Sequence, residues 1–212
     1  LRDSGLVSSV THTYVIGFSN WKQYLRSYFP EREFHFISKD ITAEGFAAQW
    51  APKILKRSHA EFFVWGYKAP QFVSDFANAQ RKKITYVEDG FVRSVKLGAT
   101  QAPARSLTLD MRTPYFNARE PSDLEIMLSS YDFAADPALI ERSKAAIAEM
   151  LRLGISKYNS APSVDMEKLY GAKTCKRVLV LGQVEDDASI LLGCEAKITN
   201  NDLVRLAHRE NP

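Results

Sequence analysis

The chain has 212 residues, of which 45% are hydrophobic and 25% are charged, a composition that can bury a substantial core. Its net charge of +3 is too small to indicate nucleic-acid binding. Cys175 and Cys194 form neither a CxxC pair nor a group with histidines, which excludes a disulfide framework and a zinc site of that kind and favours a reducing cytoplasm. No apolar run approaches the roughly 20 residues that span a bilayer, so any membrane contact is expected to be peripheral.

The first part of the chain alternates short apolar strands with helix-forming segments. Helical spacing of apolar residues predicts helices over 20–29, 45–55 and 70–80. Short apolar runs predict strands over 13–17, 34–37, 61–65 and 84–87. This alternation is typical of an α/β fold, with a Rossmann-like parallel sheet and helices on both faces.

Two further helices carry start signals. A Ser-x-x-Glu capping box at Ser122 predicts a helix through Leu128. Asp136 and Pro137 predict the start of a longer helix that Gly154 ends. That helix carries one apolar stripe, formed by Ile140, Ile147, Met150 and Leu151.

The segment 158–176 resembles a connection between domains, which places a boundary near residue 172. We therefore expect a first domain over 1–172 and the beginning of a second Rossmann-like domain over 173–212. In the second part, 177–182 predicts a strand, and Asn200 or Asn201 predicts the cap of a helix that runs to Glu210. One strand and one helix do not make a domain, so we expect the second domain to be truncated here.

Two of the predicted strands end in acidic residues. Glu88 and Asp89 precede Gly90 at the end of one strand, and Glu185, Asp186 and Asp187 follow the other, with Gln183 and Ser189 beside them. In open parallel sheets, ligands bind at the carboxyl ends of the strands. The same acids could instead cap helices, remain solvated in turns, bind Mg²⁺ or belong to a phosphorylated receiver-like switch.

Two separate acidic groups also suit glycosyl transfer. One carboxylate stabilises or attacks the cation-like sugar carbon that a departing nucleotide leaves, and the other removes the proton of the acceptor hydroxyl. An anionic sugar and its phosphate would need hydrogen-bond donors as well. The candidates near the two motifs are Arg93, Lys157, Asn159, Gln183 and Ser189.

Three long motifs resemble the KpsC-type capsular polysaccharide synthesis family. They are Val-Glu-Asp-Gly-Phe-Val-Arg-Ser at 87–94, Gly-Ile-Ser-Lys-Tyr-Asn at 154–159 and Gly-Gln-Val-Glu-Asp-Asp-Ala-Ser at 182–189, with Arg-Glu-Pro-Ser-Asp-Leu at 119–124 as a weaker fourth. The resemblance implies a GT-B architecture and retaining transfer of β-Kdo, an acidic eight-carbon sugar, from CMP-Kdo. It further implies a glycolipid or oligo-Kdo acceptor, contact with the capsule export machinery at the cytoplasmic face of the inner membrane, and no metal cofactor.

The resemblance also implies roles for individual residues. Glu88 or Asp89 would be the base, and Asp186 or Asp187 the nucleophile. Substrate contacts would come from Gly90, Arg93, Lys157, Tyr158, Asn159, Gln183, Glu185 and Ser189. The family's His-Pro motif, which contacts the CMP phosphate, is not found in this sequence, where His208 precedes Arg209. A sialyltransferase-like enzyme and a non-catalytic module that binds an acidic glycan or the capsule machinery are the alternatives.

Overall fold

A computed structural model describes residues 10–94, 101–156 and 162–212. Its centre is a five-stranded sheet with the strand order β2-β1-β3-β4-β5. The strands are β1 (Thr11–Ile16), β2 (Arg32–Ile37), β3 (Ala60–Trp65), β4 (Ile84–Asp89) and β5 (Leu107–Asp110). The four predicted strands pair in parallel, whereas β5, which was not predicted, pairs antiparallel to β4.

Helices cover both faces of this sheet, as the sequence predicted. Because side chains alternate along a strand, Tyr14 and Phe62 face one side and Val15 and Phe63 the other. The first face packs against α2 (Ala43–Gln49), α3 (Ala51–Leu55) and α4 (Gln71–Ala79). The second face receives Leu25 from α1 (Leu25–Tyr28), which follows a 3₁₀ turn at Asn20–Tyr24. The fold class is therefore a Rossmann-like α/β sheet flanked by helices.

The predicted helix over 45–55 is divided into α2 and α3. The break falls at Trp50, and Pro52 lies in the first turn of α3. Proline has no backbone N–H to donate to the preceding turn and is tolerated in the first turn of a helix. Pro52 therefore accounts for the break.

The remaining helices follow the sheet. They are α5 (Asp123–Ser130), α6 (Pro137–Arg152), α7 (Met166–Tyr170), α8 (Ala188–Gly193) and α9 (Asn200–Glu210), with a 3₁₀ turn at Phe133–Ala135. The predicted capping box is confirmed, since Ser122 Oγ accepts from Glu125 N at 3.1 Å and Glu125 Oε2 accepts from Ser122 N at 2.9 Å. Asp136 caps α6, again as predicted. None of the helices in the described ranges is long and apolar enough to cross a membrane.

Two predictions about the later part of the chain were wrong. The cap of α9 is Thr199, whose hydroxyl accepts from Asp202 N, and not Asn200 or Asn201. Segment 177–182 forms no strand within the described residues, since a strand requires a neighbour to satisfy its hydrogen bonds. Along the predicted stripe on α6, Ile147 and Leu151 are exposed, whereas Ile140 and Met150 are half-buried. The domain boundary near residue 172 stays a prediction.

Candidate active site

A crevice follows the carboxyl edge of the sheet, where β1 lies between β2 and β3 and the strand order reverses. Such a switch point is where open α/β sheets bind ligands. Gly17, after β1, and Lys68, after β3, come close together there, because a Cβ on Gly17 would lie 2.5 Å from Lys68 Cβ. Lys68 lines cavities on both sides of this contact, of about 590 Å³ and about 500 Å³. Both volumes lie in the range of ligand-binding clefts.

The larger cavity, which we call the acidic cavity, unites the two acidic motifs that the sequence singled out. Glu88 comes from the end of β4, and Asp186, Asp187 and Ser189 come from the start of α8. The rest of its lining comes from the end of β3 and the segment after it, from two aromatic residues further on and from the first residue of α8, namely Trp65, Gly66, Tyr67, Lys68, Tyr115, Phe116 and Ala188. The two acidic motifs therefore share one cavity of substrate size.

The carboxyl group of Glu88 is packed against the backbone of Gly66. Gly66 has a φ of +49°, and a Cβ there would lie 2.6 Å from Glu88 Oε1. Burial raises the pKa of Glu88 to about 7; Asp89 adds to the rise, and the charge of Lys22 opposes it. Glu88 can therefore take up and release a proton near neutral pH, which suits a general base.

Asp89 is held from behind by Arg93. Asp89 Oδ2 accepts from Arg93 Nε at 2.5 Å, and the other guanidinium nitrogens donate to Ser94 Oγ at 2.7 Å and Ala102 O at 2.8 Å. Arg93 is 1% exposed, so the structure places it behind Asp89 and not on a substrate-facing surface. Gly90 is needed at this turn, because a Cβ there would overlap the Ser106 side chain.

Asp187 lies at the start of α8, and its surroundings lower its pKa, whereas those of Glu88 raise it. Its Oδ1 accepts from Ser189 Oγ at 2.5 Å and from Ser189 N at 2.8 Å. These two bonds lower the pKa of Asp187, and the charge of Lys68 lowers it further. Asp187 is therefore a carboxylate anion at neutral pH, and Asp186 lines the cavity beside it.

The other predicted contacts lie elsewhere. Glu185 Oε1 accepts from Asn200 N at 2.6 Å, and the Asn200 side chain pairs with the backbone N and O of Gln183, each at 2.9 Å. Glu185 and the Gln183 backbone thus anchor the start of α9, and neither residue lines the acidic cavity. Predicted contacts Lys157, Tyr158 and Asn159 fall outside the described residues.

Two lysines at the site were missed by the sequence analysis. Lys22, from the 3₁₀ turn, lies over the Trp65 ring and is 7% exposed. Burial lowers its pKa to about 7, and the charges of Asp89 and Glu88 oppose that shift. No sequence pattern marks Lys22. Lys68, in contrast, lies three residues after the strand predicted over 61–65, and that position near a strand end could have identified it.

Comparison with known proteins places the chain among capsule and lipopolysaccharide proteins. No family model matches it. It is 40% identical over 151 residues to the lipopolysaccharide-processing protein LpsZ of Rhizobium meliloti, covering 71% of this chain and 34% of LpsZ. It is 33% identical over 208 residues to the capsule polysaccharide modification protein LipA of Neisseria meningitidis serogroup A, covering 94% of this chain and 27% of LipA.

A solved structure agrees with these relatives. Thermosulfurimonas dismutans KpsC, a beta Kdo 2,4 transferase, superposes with a TM-score of 0.71 at 28% identity, covering 96% of this chain and 58% of that one. The chain thus spans about a third or less of the two curated relatives. On its fold, its two acidic motifs and these likenesses, the chain belongs to the KpsC-type capsular polysaccharide synthesis family.

Proposed function

We propose that this chain is the acceptor-side part of a glycosyltransferase that moves β-Kdo from CMP-Kdo onto a lipid-linked oligosaccharide during capsule assembly. One observation carries the proposal: Glu88 and Asp187 line the same cavity, and their surroundings move their pKa values in opposite directions. Such a pair divides into a proton-exchanging group and a permanent anion. The likeness to a structure named as a beta Kdo 2,4 transferase supports the choice of sugar.

In the first step, Asp187 is the nucleophile. A carboxylate oxygen attacks the anomeric carbon of Kdo as the bond from that carbon to the phosphate oxygen breaks, and CMP leaves with the bonding electron pair. Ser189 orients the carboxylate through its two hydrogen bonds. Lys68, at the same cavity, supplies positive charge for the anionic donor.

In the second step, Glu88 is the base. An acceptor hydroxyl attacks the same carbon, its proton passes to Glu88, and the bond to Asp187 breaks. Two successive displacements retain the configuration of the sugar. Arg93 supports this step by holding Asp89 next to Glu88. The mechanism assigns no role to a metal ion, and the motif residues Lys157, Tyr158 and Asn159 are proposed as further substrate contacts.

The test is transfer from CMP-Kdo to a short Kdo-terminated acceptor, measured with the longest natural form of the protein. Removal of a general base costs roughly 10²- to 10⁴-fold, so Glu88→Gln should lose at least about 10²-fold in rate. Asp187→Asn should lose at least as much. Glu149→Gln is the matched control, because Glu149 pairs with Arg152 on the exposed surface of α6 and should keep the normal rate.

Three results would contradict the proposal. Wild-type transfer rates in both Glu88→Gln and Asp187→Asn would show that Glu88 is not the base and Asp187 is not the nucleophile. Faster transfer from another CMP-sugar would favour a sialyltransferase-like enzyme. Glycan binding without turnover in the wild-type protein, unchanged in Asp187→Asn, would favour a binding module of the capsule machinery.

A further inference from the structure

A second group of ionisable side chains lies on the sheet, apart from the acidic cavity. His12 belongs to β1, and Glu33 and His35 belong to β2, the edge strand. The parallel register pairs His12 with Glu33 and Tyr14 with His35. Residues two apart on a strand share a face, so the three side chains lie on the same face of the sheet. They gather in the amino-terminal half of β1, whereas the acidic cavity lies beyond the carboxyl ends of β3 and β4.

The three side chains approach one another at the spacing of ligands in a tetrahedral zinc site, with Glu33 presenting a different carboxylate oxygen to each histidine. His12 Nδ1 lies 3.1 Å from His35 Nε2 and 3.3 Å from Glu33 Oε2, and His35 Nε2 lies 3.5 Å from Glu33 Oε1. An ion at the zinc bond lengths to histidine nitrogen and carboxylate oxygen would hold tetrahedral ligands about 3.3–3.4 Å apart. The observed separations bracket that value, and binding through a single Glu33 oxygen needs a turn of the exposed carboxylate toward both histidines.

The surroundings hold the two imidazoles in place. The His12 and His35 rings are stacked with their centroids 5.4 Å apart, and the Tyr14 ring stacks on His35 at 4.8 Å. The side chain of His12 is 10% exposed and that of Glu33 is 51% exposed, so one side of the cluster is open to water. Three protein ligands with an open fourth position form a common zinc geometry.

The chemistry of the three side chains also favours particular ions. Two imidazoles and one carboxylate suit zinc and the neighbouring transition metals, while Mg²⁺ and Ca²⁺ prefer ligand sets made of oxygen. The chemistry of the cluster therefore selects a class of ion.

We propose that His12, Glu33 and His35 bind a divalent transition-metal ion, with zinc as the best fit, that joins the edge strand β2 to β1. Because its ligands lie away from the acidic cavity, the ion is independent of the proposed glycosyl-transfer mechanism. Without an ion, the same side chains are joined by a hydrogen bond between His12 Nδ1 and His35 Nε2.

Calorimetric titration of the chain with Zn²⁺ tests the site. Cys175 and Cys194 are exposed free thiols, so the titration uses a Cys175→Ser, Cys194→Ser background that removes competing binding. We expect one ion per chain. Loss of an outer partner of a metal ligand costs roughly 10- to 100-fold in affinity, and removal of a ligand in His35→Ala should cost more than that. Glu33→Gln should also weaken binding, and His208→Ala is the matched control with normal affinity.

A second measurement keeps the test independent of folding. Zn²⁺ should raise the midpoint of thermal unfolding in the background protein and in His208→Ala, but not in His35→Ala, because a ligand that binds only the folded state stabilises it. Co²⁺ should give the visible absorption of a tetrahedral complex. Unchanged zinc affinity in both His35→Ala and Glu33→Gln, or no zinc-dependent shift in the background protein, would overturn the proposal and leave only the hydrogen-bonded cluster.

Discussion

The chain divides into two regions that are stabilised in different ways. Every buried residue of the described ranges lies between residues 10 and 122, where the sheet and its flanking helices form two apolar clusters. From Asp123 to Pro212, no described residue is buried. The acidic cavity draws on both regions, with Glu88 from the packed sheet and Asp187 from the exposed part. Packing therefore fixes Glu88, the proposed base, while local hydrogen bonds hold Asp187, the proposed nucleophile.

Helix caps hold the second region. A side chain accepts a backbone N–H at the start of each helical element from Phe133 onward; these caps are Asp132, Asp136, Asp165, Asp187 and Thr199. One cap contributes about 0.5–2 kcal/mol, and isolated helices shorter than about 12–15 residues are marginal in water. Exposed apolar residues such as Leu151 and Leu179 remain on this region. We therefore expect it to open locally more often than the sheet, and to promote association of the chain.

The sharpest test of this contrast removes one large apolar side chain from each region. Phe62 is 0% exposed in β3, and Leu151 is 77% exposed on α6. Phe62→Ala should lower the free energy of unfolding by about 3–5 kcal/mol, because it leaves a cavity. Leu151→Ala should change it by less than about 0.5 kcal/mol. Urea unfolding measures both values, and equal losses would show that α6 belongs to the core.

The pH dependence of stability sharpens the role of burial at Glu88. Its pKa is raised from 4.5 to about 7 in the folded state, so the folded chain binds more protons than the unfolded chain between those values. Stability from this group therefore falls as pH rises through that window, by about 1.4 kcal/mol for each unit of pKa difference. Glu88→Gln should remove this fall in the free energy of unfolding. The same dependence on pH in the variant would show that burial does not raise the pKa of Glu88.

The opposite sign is expected for Lys22. Its pKa is lowered from 10.5 to about 7, so the unfolded chain binds more protons above pH 7. The contribution of Lys22 to stability should therefore rise with pH from about 7 to 10.5, and Lys22→Met should remove that rise. Unfolding midpoints measured at several pH values separate the two groups, because their windows meet near pH 7.

A pair of glycines separates a packed turn from an exposed one. Gly66 and Gly154 both have positive φ, of +49° and +61°. A Cβ on Gly66 would meet the side chains of Glu88 and Phe116, whereas a Cβ on Gly154 would meet no described atom within 4 Å. Gly66→Ala should cost about 1–3 kcal/mol from backbone strain together with the displacement of Glu88. Gly154→Ala should cost only the conformational part, roughly 1–2 kcal/mol. Transfer activity should fall only in Gly66→Ala, because Gly66 lines the acidic cavity and Gly154 does not. A fall in both variants would show that the loss of activity does not come from displacement of Glu88.

The two capping boxes give the smallest effects. Ser122 is 0% exposed beside the sheet region, whereas Thr199 starts the exposed helix α9. Ser122→Ala should lower the free energy of global unfolding by about 1 kcal/mol. Thr199→Ala should reduce the helical circular dichroism signal and leave the main unfolding transition in place. A shift of the main unfolding transition in Thr199→Ala would show that the two regions unfold together as one cooperative unit.

Local sequence patterns predicted most of the sheet and the two acidic motifs. Apolar runs define β1 to β4, and the capping box at Ser122 involves residues only three positions apart. Features that depend on distant contacts were missed. The spacing of apolar residues on α6 predicts an apolar stripe, but it does not tell whether another surface covers that stripe. The burial of Arg93 and Lys22 depends on packing between residues that are distant in the sequence. The antiparallel strand β5 was missed, although Leu107 and Leu109 alternate with polar residues.

The most direct test of the two proposed roles is intact-protein mass spectrometry after incubation with CMP-Kdo and a Kdo-terminated acceptor, using the longest natural form of the protein. Glu88→Gln should accumulate a covalent sugar adduct, because the second step lacks its base. Asp187→Asn should form neither adduct nor product, while Asp186→Asn should still form product. An adduct that persists in Asp187→Asn, or full turnover in Glu88→Gln, would contradict the assignment of the nucleophile or of the base.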